Sequence, residues 1–517
     1  MKKQKSLFPL FMVMILLLSA CSNASSGSHS GGAVIEDEPY EAVDYNLYPS
    51  PEGGYVGDVM PFVTDDGTLE IYYLCETDTN GQGYHPIWKY STKDLCSYKD
   101  HGMVLNYGTG ADPDPALGTG SVMQDQEGLY HLFYTGHNDN GNGGKGKECV
   151  MHASSTDREN WVKDEEPVFF APEGYSKDDF RDPEVFWVER DQCYWLLIAG
   201  REETLGGVVV KYTSKDLKNW EFVGPFFAPM AQYMLECPDL FNIGNKWYLT
   251  YSWDCVTYYA MSDSMDGPFV PARDNVLDGQ GLTEGNGFVF YAAKTAQFNG
   301  KTYLCGWHGR AGLVGDSGIY QWAGSVMNHE LVQLADGRLG VKAPEVFDTY
   351  FTADKPFKIA AKEGNAKVDG NSVALSAKEG SYALADMGTR PATMMLEADV
   401  TIDQDGCAGF AFGGSANDET YTALCLDARS NQLHYEGYEI LDLLDYGPGA
   451  VTRFDFDQKD THHVKLVCEN EIVVMYVDEM KCLTSRISHS TDGAHIGFFS
   501  LGCNAGFSDF VMRIPEQ

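Results

Sequence analysis

Five short segments differ in character from the strands that follow them, and the first, third and fourth carry carboxylates suited to acid–base work: Gly57-Asp58-Val59-Met60-Pro61-Phe62, Gly118-Thr119-Gly120-Ser121-Val122, Phe180-Arg181-Asp182-Pro183-Glu184, Leu235-Glu236-Cys237-Pro238-Asp239 and Gly285-Asn286-Gly287-Phe288. Hydrolysis of a glycoside needs one carboxylic acid to protonate the leaving oxygen. It also needs a carboxylate to attack the anomeric carbon or activate water. Asp58, Asp182 and Glu236 can form such a set if the fold gathers them in a funnel. There, burial and like charge both oppose ionisation and push at least one of them up. A further carboxylate beside Arg181 stays ionised and can hold hydroxyls. Taken singly, each acid reads equally as a solvated surface residue, and Asp182 and Asp239 as turn formers beside proline. Phase with a repeat sets the three apart.

That repeat is visible. A turn followed by an alternating aromatic strand occurs at Asp66-Gly67 to Tyr73, Gly128 to Tyr134, Asp191 to Leu196, Gly244 to Thr250 and Gly300 to Leu304. Anchored at 67, 128, 191, 244 and 300, the steps are 61, 63, 53 and 56 residues, the signature of a repeat architecture. Each unit consists of short strands and turns, which fits an all-β five-bladed β-propeller over residues 40–350. The competing reading is a pair of β-sandwiches with accidental similarity. The first strand of each blade would line the channel, with the five segments about nine residues ahead of each turn. After Pro344 the period stops, while residues 355–517 still alternate as strands, for example Met394 to Val400, and read as a C-terminal β-sandwich.

Gly57-Asp58, Phe180-Arg181-Asp182-Pro183 and Leu235-Glu236-Cys237-Pro238-Asp239, in that order, resemble glycoside hydrolase family 32, the β-fructosidases. The resemblance implies Asp58 as nucleophile, Glu236 as general acid and then base, Asp182 as transition-state stabiliser, and retention of anomeric configuration. It implies Arg181 and Ser121 as substrate-binding residues, a fructose-containing oligo- or polysaccharide as partner, and no cofactor. Trp307 either offers a ring face to the sugar or packs as a strand aromatic. The chain departs from the family where an Asn usually precedes the first carboxylate and Gly57 stands instead, and where Val289-Phe290-Tyr291-Ala292 replaces Asp-Phe-Tyr-Ala. The substrate is therefore less fixed than the reaction class. Inverting arabinan or xylan hydrolases and a non-catalytic glycan-binding surface protein remain as alternatives.

Composition sets outer limits. With 37 Lys+Arg against 75 Asp+Glu, the formal charge is −38, which repels a polyanion and excludes nucleic acid as a partner. Lys2, Lys3 and Lys5 precede an apolar run, Leu7 to Leu18, too short to span a bilayer. The run ends in Leu18-Ser19-Ala20-Cys21, similar to a bacterial lipobox. Residues 1–20 therefore read as an export signal, Cys21 as the lipidated residue anchoring the chain to the outer side of the cell envelope, and residues 21–39 as a flexible tether. The 12 later cysteines form no Cys-x-x-Cys and sit mostly in apolar strand-like runs. Asp112-Pro113-Asp114-Pro115 lacks calcium-loop spacing, so no metal is expected.

Overall fold

The computed structural model describes residues 35, 38–77, 85–230, 232–281, 287–311, 320–403, 405–413, 421–437, 439–444, 449–456, 461–487 and 494–516. The expected signal, Cys21, most of the tether and Gly285-Asn286 lie outside the described residues.

Five antiparallel meanders follow one another, with inner strands Tyr55–Val63, Ala116–Gln124, Tyr175–Val188, Glu236–Ile243 and Tyr291–Phe298. Each inner strand touches the next and the fifth touches the first, so the meanders surround a common axis. The second strands are buried on both faces, as in Leu69–Glu76, because every meander is packed between two others. The apolar alternation of the sequence therefore feeds cores that lie between neighbours. Met60 and Tyr72 meet Leu117 and Leu132; Phe133 and Val150 meet Phe180 and Leu196; Leu197 and Val209 meet Leu249 and Tyr251. Tyr248 meets Phe290 and Met327, and Ile71 meets Tyr291 and Trp307.

Beyond residue 350, two antiparallel sheets face each other over a core that includes Phe410, Phe498 and Phe507, with the last two rings stacked at 4.3 Å. The fold is a β-propeller followed by a β-sandwich. The two parts are stitched together more closely than the break in period suggests. Gln280–Gly281, between the fourth and fifth meanders, pairs with Ala450–Arg453 and extends one sheet of the sandwich. The Glu469 carboxylate accepts the backbone N–H groups of Asn46, Leu47 and Tyr48. In the joint, His329 hydrogen-bonds Tyr476 and Asp278 at 2.9 and 3.2 Å, and all three are buried.

Candidate active site

The five inner strands share one irregularity. Strand pairing slips between Val56 and Val59, Gly118 and Gly120, Arg181 and Glu184, Glu236 and Asp239, and Tyr291 and Lys294. Each slip is a β-bulge, which re-aims the side chains around it. Asp182, Cys237 and Ala292 occupy the left-handed backbone region there, with φ of 65°, 49° and 52°. A non-glycine residue adopts that conformation only where the surrounding structure enforces it.

The carboxylates do not come from one equivalent position, as phase with the repeat suggests. Glu236 immediately precedes its bulge, Asp182 is the first bulged residue of its strand, and Asp58 is the second. They are nonetheless electrostatic neighbours. Burial, then repulsion by Asp182 and Glu236, pushes the Asp58 carboxyl up to about 8. Burial, then repulsion by Glu236, pushes Asp182 up to about 7, against the pull of Arg181.

Each acid has a distinct partner. Trp307 Nε1–H donates to Asp58 Oδ1 at 3.0 Å. The Cys237 backbone N–H donates to Asp182 Oδ2 at 3.0 Å, while the Asp182 N–H donates to Thr135 Oγ1 at 2.8 Å. The Tyr291 hydroxyl donates to Glu236 Oε2. The Tyr291 and Trp307 rings meet edge to face at 5.8 Å, so one aromatic pair braces both Asp58 and Glu236. Arg181 is clamped from behind by Glu148 at 2.9 Å and Asp179 at 3.3 Å. Its Nε–H has no hydrogen-bond partner among the described residues and points toward Glu236 Oε1, 3.8 Å away.

Beneath the acids, buried Lys294 donates to the Gly120 carbonyl at 2.6 Å and to Glu184 Oε2 at 2.7 Å. Its charge draws Asp58 and Asp182 back toward ionisation.

Sequence-selected residues fall in different places. Arg181 stands at the trio. Ser121 is buried, and its Oγ accepts the Val185 N–H at 2.9 Å, so it fastens the second inner strand to the third. Trp307 has 0% exposure, packed against Phe288, Tyr291 and Trp322. It offers no ring face to a sugar and reaches the site through its indole N–H. The fifth inner strand departs from the sequence expectation: its bulge lies at Ala292-Ala293, downstream of the segment Gly285 to Phe288. Counting nine residues back from the turn at Gly300 lands on Tyr291, the signal that would have found it.

Among the described residues, Asp278, His329 and Cys482 bring three metal-ligating atoms together. Asp278 there already accepts hydrogen bonds from the backbone of Gly279 and Thr484, and the cluster sits in the joint with the sandwich, apart from the trio.

Residues 49–340, more than half of the chain, match the glycosyl hydrolases family 32 N-terminal domain. The chain belongs to glycosyl hydrolase family 32. Its family 32 relatives include a sucrose-6-phosphate hydrolase of Vibrio alginolyticus, 26% identical over 308 residues, which are 57% of this chain and 62% of that protein. A raffinose invertase of Escherichia coli is 31% identical over 210 residues, 39% of this chain and 42% of that protein. These alignments span roughly half the length of the curated relatives. An exo-inulinase from Aspergillus awamori shares the fold, with a TM-score of 0.68 at 17% identity over 93% of this chain and 99% of that one. Against the family 32 motif, the glycine before Asp58 has a local cause. A Cβ on Gly57 would lie 2.4 Å from Cη2 and 2.6 Å from Cζ2 of Trp322. The Trp322 ring fills the space that the family's asparagine would need.

Proposed function

We propose that the chain is a retaining fructoside hydrolase, in which Asp58 attacks the anomeric carbon of a fructosyl unit and Glu236 protonates the departing oxygen. The carrying observation is the differentiated trio. Three mutually repelling carboxylates each have a separate hydrogen-bond donor, and an unpaired guanidinium N–H faces the same space.

Three bare carboxylates in a half-buried funnel repel one another, so the empty site retains a proton through neutral pH. Reaction begins when that proton sits on Glu236 and Asp58 is bare. The Trp307 N–H then stabilises the Asp58 anion, while Asp182, held by the Cys237 N–H, faces the positive charge developing on the ring. Glu236, deprotonated by the first step, takes a proton from a water whose oxygen bonds to the anomeric carbon as the bond to Asp58 breaks, which releases the sugar and leaves Asp58 ionised and Glu236 protonated again. Arg181, locked by Glu148 and Asp179, orients sugar hydroxyls without a conformational search.

A neutral fructoside fits this site better than a phosphorylated one: the formal charge of −38 repels anions, and Arg181 is already surrounded by three carboxylates. The raffinose invertase and the exo-inulinase have names that fit that class, whereas the sucrose-6-phosphate hydrolases among the relatives have names that fit a phosphorylated substrate. Turnover of sucrose, raffinose, inulin and levan by the wild type, lost in both Asp58→Asn and Glu236→Gln, supports the reading. Wild-type affinity without turnover would make the chain a glycan binder, and an inverted first product by NMR would make Asp58 a base. The lipobox-like Leu18 to Cys21 further supports anchoring through Cys21, which a Cys21→Ala variant would release from the membrane fraction.

A further inference from the structure

Away from the active site, one pair of cysteines stands apart from the rest. Cys407 and Cys425 lie on neighbouring strands of the sandwich, Cys407–Gly413 and Tyr421–Asp427, with their sulfurs 3.2 Å apart. Among the described residues, no other two cysteine sulfurs are in hydrogen-bond contact.

The register explains the approach. Cys407 pairs with Asp427 and Gly409 with Cys425, so the two cysteines are diagonal neighbours on one face of the sheet. Diagonal positions are ordinarily the more distant ones, and Gly409 removes that obstacle. A Cβ on Gly409 would lie 2.6 Å from the Cys425 Cα and 2.9 Å from its Cβ. The bare backbone lets the strands close in and the Cys425 thiol reach across toward Cys407. The pair sits on the opposite face of the sheet from Ala408, Phe410, Leu424 and Leu426, which belong to the main core. Ile440 and Leu443 pack in the same cluster as the two cysteines, which are both 0% exposed. Cys503 is engaged elsewhere: its thiol donates to the Cys407 carbonyl at 3.4 Å.

We infer that Cys407 and Cys425 are joined by a disulfide that staples two strands of the sandwich, a modification separate from the fructosidase reading. A sulfur–sulfur bond of about 2.0 Å requires the two atoms to approach by about 1.2 Å, a small side-chain rotation on strands already paired. Burial pushes the Cys425 thiol well above its ordinary range, so the folded chain offers little thiolate there. The bond therefore forms while this face is still uncovered. One cysteine thiolate attacks a disulfide oxidant and expels one of its thiols. The second cysteine thiolate attacks the resulting mixed disulfide and expels the other thiol. The two cysteines thus lose two protons and two electrons, and the oxidant gains them as two thiols. A chain exported to the outer side of the membrane meets such oxidants as it folds.

The test is refolding of the reduced, urea-unfolded full chain, once in oxidised and reduced glutathione and once in excess dithiothreitol. Free thiols are then alkylated under denaturing conditions and the digest is mapped by mass spectrometry. The oxidised sample should yield one peptide pair joined through Cys407 and Cys425, with the other ten of the twelve later cysteines alkylated. It should also unfold about 5–10 °C above the dithiothreitol sample, as expected for closing a loop across the 17 residues between the two cysteines. Cys407→Ala and Cys425→Ala should each abolish both the joined pair and the temperature difference. Alkylation of both cysteines after oxidative refolding, a bond from either one to Cys503, or equal unfolding temperatures would overturn the disulfide. Fructoside turnover is read separately, so its loss or retention leaves this result standing.

Discussion

Replacing Trp307 with phenylalanine separates its two contributions, because the ring packing is largely kept and the N–H is lost. The indole N–H donates to Asp58 Oδ1 at 3.0 Å and is among the groups drawing that carboxyl down from its burial-raised value of about 8. Hydrogen bonds to charged groups are worth about 1.5–3 kcal/mol. Because the bond favours the ionised nucleophile, its loss should lower kcat/KM by about 10- to 150-fold. The same loss moves Asp58 further up, so the ascending limb of the kcat/KM–pH profile should shift to higher pH by about one to two units. Initial rates on the best fructoside from pH 4 to 9 measure both quantities. Trp322→Phe is the control: that ring packs on Trp307 at 5.7 Å, so its variant should lose thermal stability with no shift of the limb. A uniform fall of the Trp307→Phe profile, with the limb unmoved, would refute the role given to the indole N–H.

Other perturbations have defined outcomes. Gly57→Asn should destabilise the chain by about 1–3 kcal/mol, since its Cβ meets the Trp322 ring at 2.4 Å, and adding Trp322→Ala should recover part of that in a urea titration. Asp58 and Asp182, raised to about 8 and 7, bind protons in the folded chain that the unfolded chain releases near pH 4. Stability should therefore fall as pH rises from about 4 to 8, by about 1 kcal/mol per pH unit for each proton, and Asp58→Asn should flatten the slope in thermal scans. Lys294→Met strands Glu184 in the buried base of the site and should cost about 3–5 kcal/mol, while Lys294→Met with Glu184→Leu should regain most of it.

The sequence carried the architecture further than the site. Turn spacing locates all five meanders, because each second strand must be apolar on both faces and each hairpin needs a tight turn, built on glycine in four cases and on Asp191-Gln192 in the third. The same phase points to Asp58, Asp182 and Glu236. It does not show that they occupy three successive positions of a bulge, since the slip is set by pairing with the second strand. Nothing in the types Cys237 and Ala292 announces a positive φ. Trp307 and Tyr291 read as ordinary strand aromatics because the period cannot tell a core ring from one whose polar edge reaches a carboxylate. The collision of Gly57 with Trp322 joins residues 265 positions apart and is invisible without coordinates. Strand Gln280–Gly281 is too short to carry a pattern, so its crossing into the sandwich was equally hidden.

The retaining mechanism requires Asp58 to be the nucleophile that bonds covalently to the sugar. Mixing the wild type with an excess of its best fructoside, quenching in acid within a turnover and mapping the digest by mass spectrometry tests it directly. The peptide containing Asp58 should appear heavier by one hexosyl unit, and the adduct should be absent from Asp58→Asn. Active enzyme whose Asp58 peptide stays unmodified, or whose adduct maps to Asp182 or Glu236, would contradict it.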